Sequence, residues 1–213
     1  MNRREALKNI GLSASYIAAT PSILSILQSC TKEIIPTWTP ELLSIDEAKI
    51  LDRIVDLIIP ETENIPGALA VNVPMFIEKF ILHGVEEKEE IEKFKKSATI
   101  VLRELGVSEE KKVDKITIEE YDTLLTKYLR SSKEQQLEYT EEMQDVKTSE
   151  DMDSISKDAI IFNYLSSVRG LSIWGFKTSQ EIGKNVLAYA PVPGEQIGCD
   201  SLEKLTGGKA WSL

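Results

Sequence analysis

The sequence has few of the side chains that bind metals or transfer protons near neutral pH. Its 213 residues include one histidine, His83, and two cysteines, Cys30 and Cys199. Helix-borne metal sites need carboxylates with Glu-x-x-His pairs, covalent haem needs Cys-x-x-Cys-His, and neither pattern occurs. His83 precedes Gly84 at a predicted helix end, where the helix dipole favours an imidazole without any catalytic role. We therefore expect no catalytic residue, no metal site and no bound cofactor in this chain.

Basic stretches are also scarce. Lys and Arg total 25 against 35 Asp and Glu, so the formal net charge is −10. The first 29 residues carry +2, which leaves −12 on the rest of the chain. A surface of this sign repels phosphate backbones, and no lysine or arginine stripe offsets it. Nucleic acid is thereby excluded as a partner.

The first thirty residues have the composition of an export leader. Arg3 and Arg4 precede a mostly apolar run over residues 10–27, and small residues lead into Cys30. Twin arginines indicate the Tat route, which carries proteins that have folded before export. We interpret residues 1–29 as a Tat-type lipoprotein signal peptide and Cys30 as a lipidation site. The protein is then an exported lipoprotein of the periplasm or cell envelope.

A second interpretation of the leader stays open. In it, Pro21 interrupts a transmembrane anchor and Cys30 has no role. The apolar run is near the lower length limit for a membrane span and is broken by four serines, which favours the lipoprotein. Both interpretations place the body of the protein outside the cytoplasm.

Lipidation of Cys30 would leave Cys199 as an odd thiol in an oxidising compartment. Such a thiol is either buried and inert or paired with a different chain. Because Cys199 lies in a segment rich in glycine and proline, we favour an intermolecular disulfide.

Between the leader and the C-terminal segment, apolar side chains recur at three- and four-residue spacing, which is typical of amphipathic helices. Ser-x-x-Glu or Thr-x-x-Glu capping boxes predict helix starts at Ser44, Thr117 and Thr178. No stretch alternates with the two-residue period of a strand. We predict an all-α fold, an irregular bundle of about six or seven helices, with a long apolar helix from Ile155 to Leu171 at its centre.

The domain organisation follows from these elements. Residues 30–43 form a tether whose Trp38 docks on the domain, and residues 44–213 form one helical domain that ends in an extended Gly/Pro-rich tail, residues 189–213. Proline and paired glycines oppose regular helix from Trp174 onward, so we expect this segment to run extended over the preceding helices or another protein. Aromatic residues commonly anchor such contacts. The residues we expect at a partner interface are Trp174, Phe176, Tyr189, Pro191, Pro193, Cys199 and Trp211.

Several short motifs in a fixed order point to a family. They are Ile58-Ile59-Pro60-Glu61-Thr62, Pro66-Gly67-Ala68, Val73-Pro74-Met75-Phe76-Ile77, Trp174-Gly175-Phe176-Lys177-Thr178-Ser179, Tyr189-Ala190-Pro191-Val192-Pro193-Gly194, Gly198-Cys199 and Gly207-Gly208-Lys209-Ala210-Trp211. With the Arg3-Arg4 leader, they make essentially the whole mature chain resemble the gluconate 2-dehydrogenase subunit 3 family.

The resemblance implies a small, non-catalytic subunit of an exported flavin-dependent dehydrogenase. In such complexes a large GMC-type flavoprotein, which holds the FAD, oxidises a sugar or polyol, and a c-type cytochrome often takes the electrons. The small subunit escorts the flavoprotein through export and stabilises it. Cys30 departs from this pattern and suggests that the subunit is also a membrane anchor. The alternative is a stand-alone exported lipoprotein that binds a small ligand such as a sugar.

Overall fold

The structure is a computed structural model, and the residues it describes are 38–192, 194 and 199–212. Arg3, Arg4 and Cys30 of the predicted leader lie outside the described residues, as does Pro193. Helices make up most of the described chain, and the described residues contain no strand. The predicted all-α fold is confirmed.

Seven α-helices occur in the described part of the chain. In order they are α1 (Ile45–Ile58), α2 (Val73–Lys79), α3 (Lys88–Glu104), α4 (Ile118–Leu129), α5 (Lys133–Gln144), α6 (Lys157–Thr178) and α7 (Leu202–Thr206). One π-helical turn extends α2 over Phe80–Gly84, and another follows α6 over Ile182–Val186. Short 3₁₀ turns occupy Val113–Lys115 and Asp151–Ser154.

Local sequence signals account for several helix boundaries. The hydroxyls of Ser44 and Thr117 accept the backbone N–H groups of Glu47 and Glu120, whose carboxylates accept the cap N–H groups in return. These two predicted capping boxes are therefore confirmed. Gly106, just after α3, has φ of 74°, a left-handed conformation that glycine adopts without strain.

Helix α6 is the centre of the bundle. Its 22 residues span about 33 Å, and the helices α1 to α5 all contact it. Ile161, Leu165 and Val168 are fully buried on this helix, and they join one continuous core with side chains from the surrounding helices. The predicted central helix is confirmed.

The predicted C-terminal boundary of this helix is wrong. We expected an extended segment from Trp174 and a new helix opened by Thr178, whereas α6 runs unbroken to Thr178. The Thr178 hydroxyl donates to the Trp174 carbonyl oxygen at 2.8 Å within α6 and does not cap a new helix. Helix α6 continues because α2 packs against its last turns, and such tertiary contacts override weak local propensity. Trp174 and Phe176 are therefore helical residues.

A buried carboxylate ties the segment before α1 to α2. The Glu78 side chain is fully buried and accepts the N–H groups of Glu41, Leu42 and Leu43 at 2.9–3.1 Å. Nearby, the Trp38 Nε1–H donates to Asp52 Oδ1 at 3.1 Å, and the ring packs against the core. The expected docking of Trp38 is confirmed. Helix α2, which packs on the C-terminal half of α6, is thus held by the chain that enters the domain.

A second polar contact fixes the N-terminal end of α6. The Tyr128 hydroxyl donates to Asp158 Oδ1 at 2.7 Å, and Lys127 Nζ donates to the same oxygen at 3.2 Å. The Tyr128 hydrogen bond lowers the pKa of the Asp158 carboxyl, with Lys127 adding to the effect. Burial is the main reason that the pKa of Tyr128 is raised. Helix α4 is therefore locked to the first turn of α6.

Candidate partner-binding surface

Three aromatic side chains meet where α2 packs on α6. Phe76 and Phe80 lie one helical turn apart, and both rings contact Trp174 edge-on, with centroid separations of 5.1 and 5.0 Å. Edge-to-face packing of this kind is favourable beyond the burial of apolar area. It holds the Trp174 ring in place although 42% of the residue remains exposed.

Gly175 permits this close approach. An added Cβ at Gly175 would lie 2.4 Å from Cδ1 of Phe76, which is closer than two non-bonded carbon atoms can approach. Helix α2 therefore rests directly on the α6 backbone, and the Phe76 ring fills the space that a side chain would take. The position of Trp174 thus depends on its glycine neighbour.

The outer face of α6, as we call Arg169, Gly170, Ile173, Trp174 and Lys177, points away from the bundle. All but Lys177, which is half-buried, are exposed, and Ile173 is 47% exposed. Buried residues of the same helix segment, such as Ser172 and Gly175, lie on the opposite side. Among the residues that the structure describes, the last three turns of α6 therefore have packing neighbours on one side only.

The tail returns to the turn that follows α6. Ala188 N–H donates to the Ala210 carbonyl and Ser212 N–H donates to the Ala188 carbonyl, both at 2.9 Å, in an isolated parallel bridge between Ala188 and Trp211. This pairing leaves Tyr189 and Trp211 each half exposed. The predicted extended course therefore holds around Ala188, although α7 interrupts it.

The residues predicted at a partner interface fall into two groups in the structure. Tyr189, Pro191, Cys199 and Trp211 are exposed on the tail, and Trp174 is exposed on α6. Phe176 instead packs against the hydrophobic core and is half-buried. The buried alternative for Cys199 is wrong because the thiol is exposed and in no disulfide.

Ile173 belongs to this surface and was not predicted. The sequence signal was present: Arg169, Ile173 and Lys177 recur at four-residue spacing, which places an isoleucine between two cations on one helix face. The signal has meaning only on a helix that continues past Leu171, where the predicted helix ends, and α6 does continue to Thr178.

The net charge also differs between the helical body and the C-terminal part of the chain. Residues 38–165 carry 16 basic and 29 acidic side chains, a net of −13, whereas residues 166–213 carry five and four, a net of +1. The acidic excess thus belongs to the helical body. The part that exposes Ile173, Trp174, Tyr189 and Trp211 is close to neutral.

The groups that could support catalysis are dispersed. His83 is exposed on the π-turn, with Nε2 4.0 Å from Glu41 Oε2, and the hydrogen bond from Lys79 lowers the pKa of Glu41. No three His, Cys, Asp or Glu side chains in the described ranges are grouped to hold a metal ion.

None of the described helices is both long and apolar enough to span a bilayer.

Three solvent-open clefts, of about 180–320 Å³, lie elsewhere on the bundle. The largest is lined by Glu104, Leu124 and Lys127 among others, and none of the three is lined by Trp174, Tyr189 or Trp211. The exposed aromatic side chains therefore belong to an open surface and not to these clefts.

Comparison with known proteins gives one match. The family model described as Gluconate 2-dehydrogenase subunit 3 matches residues 45–194, which include α1 to α6, the outer face of α6 and the start of the tail. No curated protein and no solved structure gives a significant match to the chain.

Proposed function

The chain belongs to the gluconate 2-dehydrogenase subunit 3 family, and from that premise we propose that it is the non-catalytic subunit of an exported flavin-dependent dehydrogenase. Its partner is a GMC-type flavoprotein that holds the FAD and oxidises a sugar or polyol. The protein escorts this partner through export and stabilises it. The electrons leave the flavoprotein for an acceptor outside this chain, such as a c-type cytochrome.

The observation that carries the proposal is the exposure of three large aromatic side chains, Trp174, Tyr189 and Trp211, on the near-neutral C-terminal part of an otherwise acidic molecule. Ile173, Trp174, Tyr189 and Trp211 are each between 42 and 50% exposed, and they lie on α6 or on the tail that folds back behind it. Tryptophan and tyrosine are enriched at the centres of protein interfaces. A binding role explains this exposure, whereas a catalytic role does not.

The geometry of Trp174 suits an anchor residue. Phe76 and Phe80 already fix the orientation of its ring, so that little side-chain freedom remains to be lost on binding. Preorganised contact residues strengthen an interface mainly by reducing this entropic cost. The exposed part of the Trp174 side chain can therefore contact the flavoprotein without first changing its orientation.

The leader explains how such a pair would be exported. Arg3 and Arg4 direct the protein to the Tat route, which accepts a folded chain together with a folded partner. A lipid on Cys30 would then hold the complex at a membrane. From residue 38 onward the entering chain is fixed to the domain, because Trp38 donates to Asp52 and the N–H groups of Glu41, Leu42 and Leu43 donate to Glu78.

Co-expression with the genomic neighbours tests the proposal. We expect a yellow complex of fixed stoichiometry that contains FAD, and a colourless subunit without dehydrogenase activity when the chain is purified alone. In cells, Arg3→Lys combined with Arg4→Lys should leave the subunit and the flavoprotein in the cytoplasm together. A colourless monomer that binds or oxidises a sugar unaided would contradict the proposal and favour a stand-alone lipoprotein.

The exposed thiol of Cys199 gives a separate test of the interface. If it forms a disulfide with the flavoprotein, a non-reducing gel of the native complex will show a joint band that disappears on reduction. Cys199→Ser should abolish this band and leave the amount of folded subunit unchanged. A band that persists in the Cys199→Ser variant would assign the link to another thiol.

A further inference from the structure

The outer face of α6 carries two cations that have no carboxylate partner among the described residues. Arg169 and Lys177 lie one helical turn before and after Ile173, and neither forms an ion pair with any described residue. In residues 38–165, eight of the 16 cations pair with a carboxylate, and the other eight likewise have no such partner among the described residues. Two unpaired cations thus flank an exposed isoleucine in a chain with a large excess of acidic groups.

Gly170 on the same face has no packing neighbour in the part of the chain that the structure describes. An added Cβ there would meet no atom within 4 Å, whereas at Gly175 it would collide with Phe76. Glycine inside a helix is destabilising relative to alanine because it loses more conformational freedom on folding. At Gly175 the packing of Phe76 offsets this cost, and at Gly170 nothing in the described chain does so.

We propose that the outer face of α6 binds a segment of the flavoprotein subunit that carries Asp or Glu side chains on either side of an apolar residue. The apolar residue packs on Ile173 and Trp174, the carboxylates pair with Arg169 and Lys177, and the partner backbone approaches α6 at Gly170. This inference rests on the proposed function and specifies the chemistry of the partner's contact surface.

Charge complementarity favours an acidic protein surface as the occupant. A guanidinium such as Arg169 binds a carboxylate through two parallel hydrogen bonds, and a rim of paired charges around an apolar centre is the usual anatomy of an interface. An anionic lipid surface would also attract these cations. A membrane, however, extends beyond this face and would repel the body of the protein, whose residues 38–165 carry a net −13. A partner segment with two carboxylates meets only the outer face of α6.

Charge reversal tests the carboxylate contacts. In the complex of the full chain with the flavoprotein, we expect R169E/K177E to slow association by about tenfold or more at low salt. The control K88E/K133E changes the net charge by the same amount at two exposed lysines that open α3 and α5, where acidic residues suit the helix dipole. We expect the control to associate within about twofold of the wild type. Equal slowing by both pairs would overturn the proposal.

Substitution of Gly170 tests the close approach. Gly170→Ala should raise the melting temperature of the free subunit by about 2–4 °C. Gly170→Leu, which also fills only open space, should fold and yet weaken binding of the flavoprotein by about tenfold or more. Wild-type affinity in the Gly170→Leu variant would overturn the proposal.

The outcomes separate this inference from the proposed function. If the wild-type chain binds no flavoprotein, the proposed function fails. If the wild-type complex forms and all these variants bind equally well, only the assignment of this face fails. Binding of the unlipidated wild type to phosphatidylglycerol vesicles, lost in R169E/K177E while the complex is unaffected, would overturn the assignment and make the face a membrane contact.

Discussion

The two halves of α6 face different surroundings along one continuous helix. From Lys157 to Val168 the helix is enclosed by its neighbours, and its apolar residues are buried. From Arg169 to Thr178 it packs on α2 along one side and exposes Ile173 and Trp174 on the other. The difference shows how one helix can expose apolar side chains on a fixed backbone, because its contact with α2 on one side keeps the exposed half helical.

The polar contacts of the two halves differ as well. The first turn of α6 is fixed directly, through the hydrogen bond between Tyr128 and Asp158. The second half is fixed indirectly, since Glu78 holds α2 against the entering chain and Phe76 of α2 rests on Gly175. Mutations in the two halves should therefore separate effects on stability from effects on binding.

The largest difference in stability is expected between alanine substitutions of two apolar residues of α6. Leu165→Ala removes a fully buried side chain and should lower the free energy of unfolding by about 2–5 kcal/mol. Ile173→Ala removes an exposed one and should change it by no more than about 0.5 kcal/mol. Urea unfolding of the free subunit measures both, and similar losses for the two variants would abolish the distinction between the halves.

The next largest effect on stability is expected at Glu78, the buried carboxylate that holds α2. Glu78→Gln removes the negative charge that three backbone N–H groups bind and turns one acceptor oxygen into an NH2 donor, which would face the Glu41 N–H if the remaining oxygen keeps Leu42 and Leu43. This change should cost about 1.5–3 kcal/mol. Hydrogen exchange at Leu42 and Leu43 should accelerate. The control Glu41→Gln removes only the exposed charge contacts with Lys79 and His83 and should cost less than about 1 kcal/mol. Unchanged hydrogen exchange in Glu78→Gln would show that the hydrogen bonds to Glu78 are not needed to hold residues 41–43 on α2.

Alanine substitutions of two glycines compare the packed and exposed sides of the second half of α6. Gly175→Ala should destabilise the subunit by about 1–3 kcal/mol because the new methyl group displaces Phe76. The same change at Gly170, on the opposite side of the helix, should be stabilising. Thermal unfolding of both variants gives the sign of each effect. Stabilisation by Gly175→Ala would mean that α2 can move away from α6 without cost.

The smallest expected effect concerns the contact at the start of α6. Tyr128→Phe should cost about 1 kcal/mol through the lost hydrogen bond to Asp158. Because the pKa of Asp158 is lowered in the folded state, its contribution is present above the unfolded pKa of about 4 and is lost as the pH falls through the folded value. The stability difference between the wild type and Asp158→Asn should therefore shrink in acid. A difference that stays constant with pH would exclude this linkage.

The helical fold could be predicted because its signals are local. The capping boxes at Ser44 and Thr117 and the apolar spacing of the central helix each involve residues within a few positions of one another. The end of α6 could not be predicted this way, since it depends on contact between Gly175 and Phe76, almost a hundred positions apart. Nothing near Glu78 in the sequence indicates its burial either, because the N–H groups it accepts come from 35 to 37 residues earlier.

The candidate surface was predicted in part for the same reason. Trp174, Tyr189 and Trp211 were identified from residue type alone, and all three are exposed. Phe176 has the same chemistry, but its place on α6 turns it toward the core. Ile173 was missed because its significance depends on the helix continuing past it.

The most direct test of the account is the affinity of the flavoprotein subunit for two variants that each place an aspartate at an exposed apolar position. Ile173→Asp alters the outer face of α6, and Leu137→Asp alters α5, where Leu137 is 59% exposed. We predict that Ile173→Asp raises the dissociation constant by about 30-fold or more, the effect expected at an interface hot spot, and that Leu137→Asp leaves it within about twofold. An unchanged dissociation constant for Ile173→Asp, or an equal loss for both variants, would contradict the claim that the C-terminal half of α6 is the partner-binding surface.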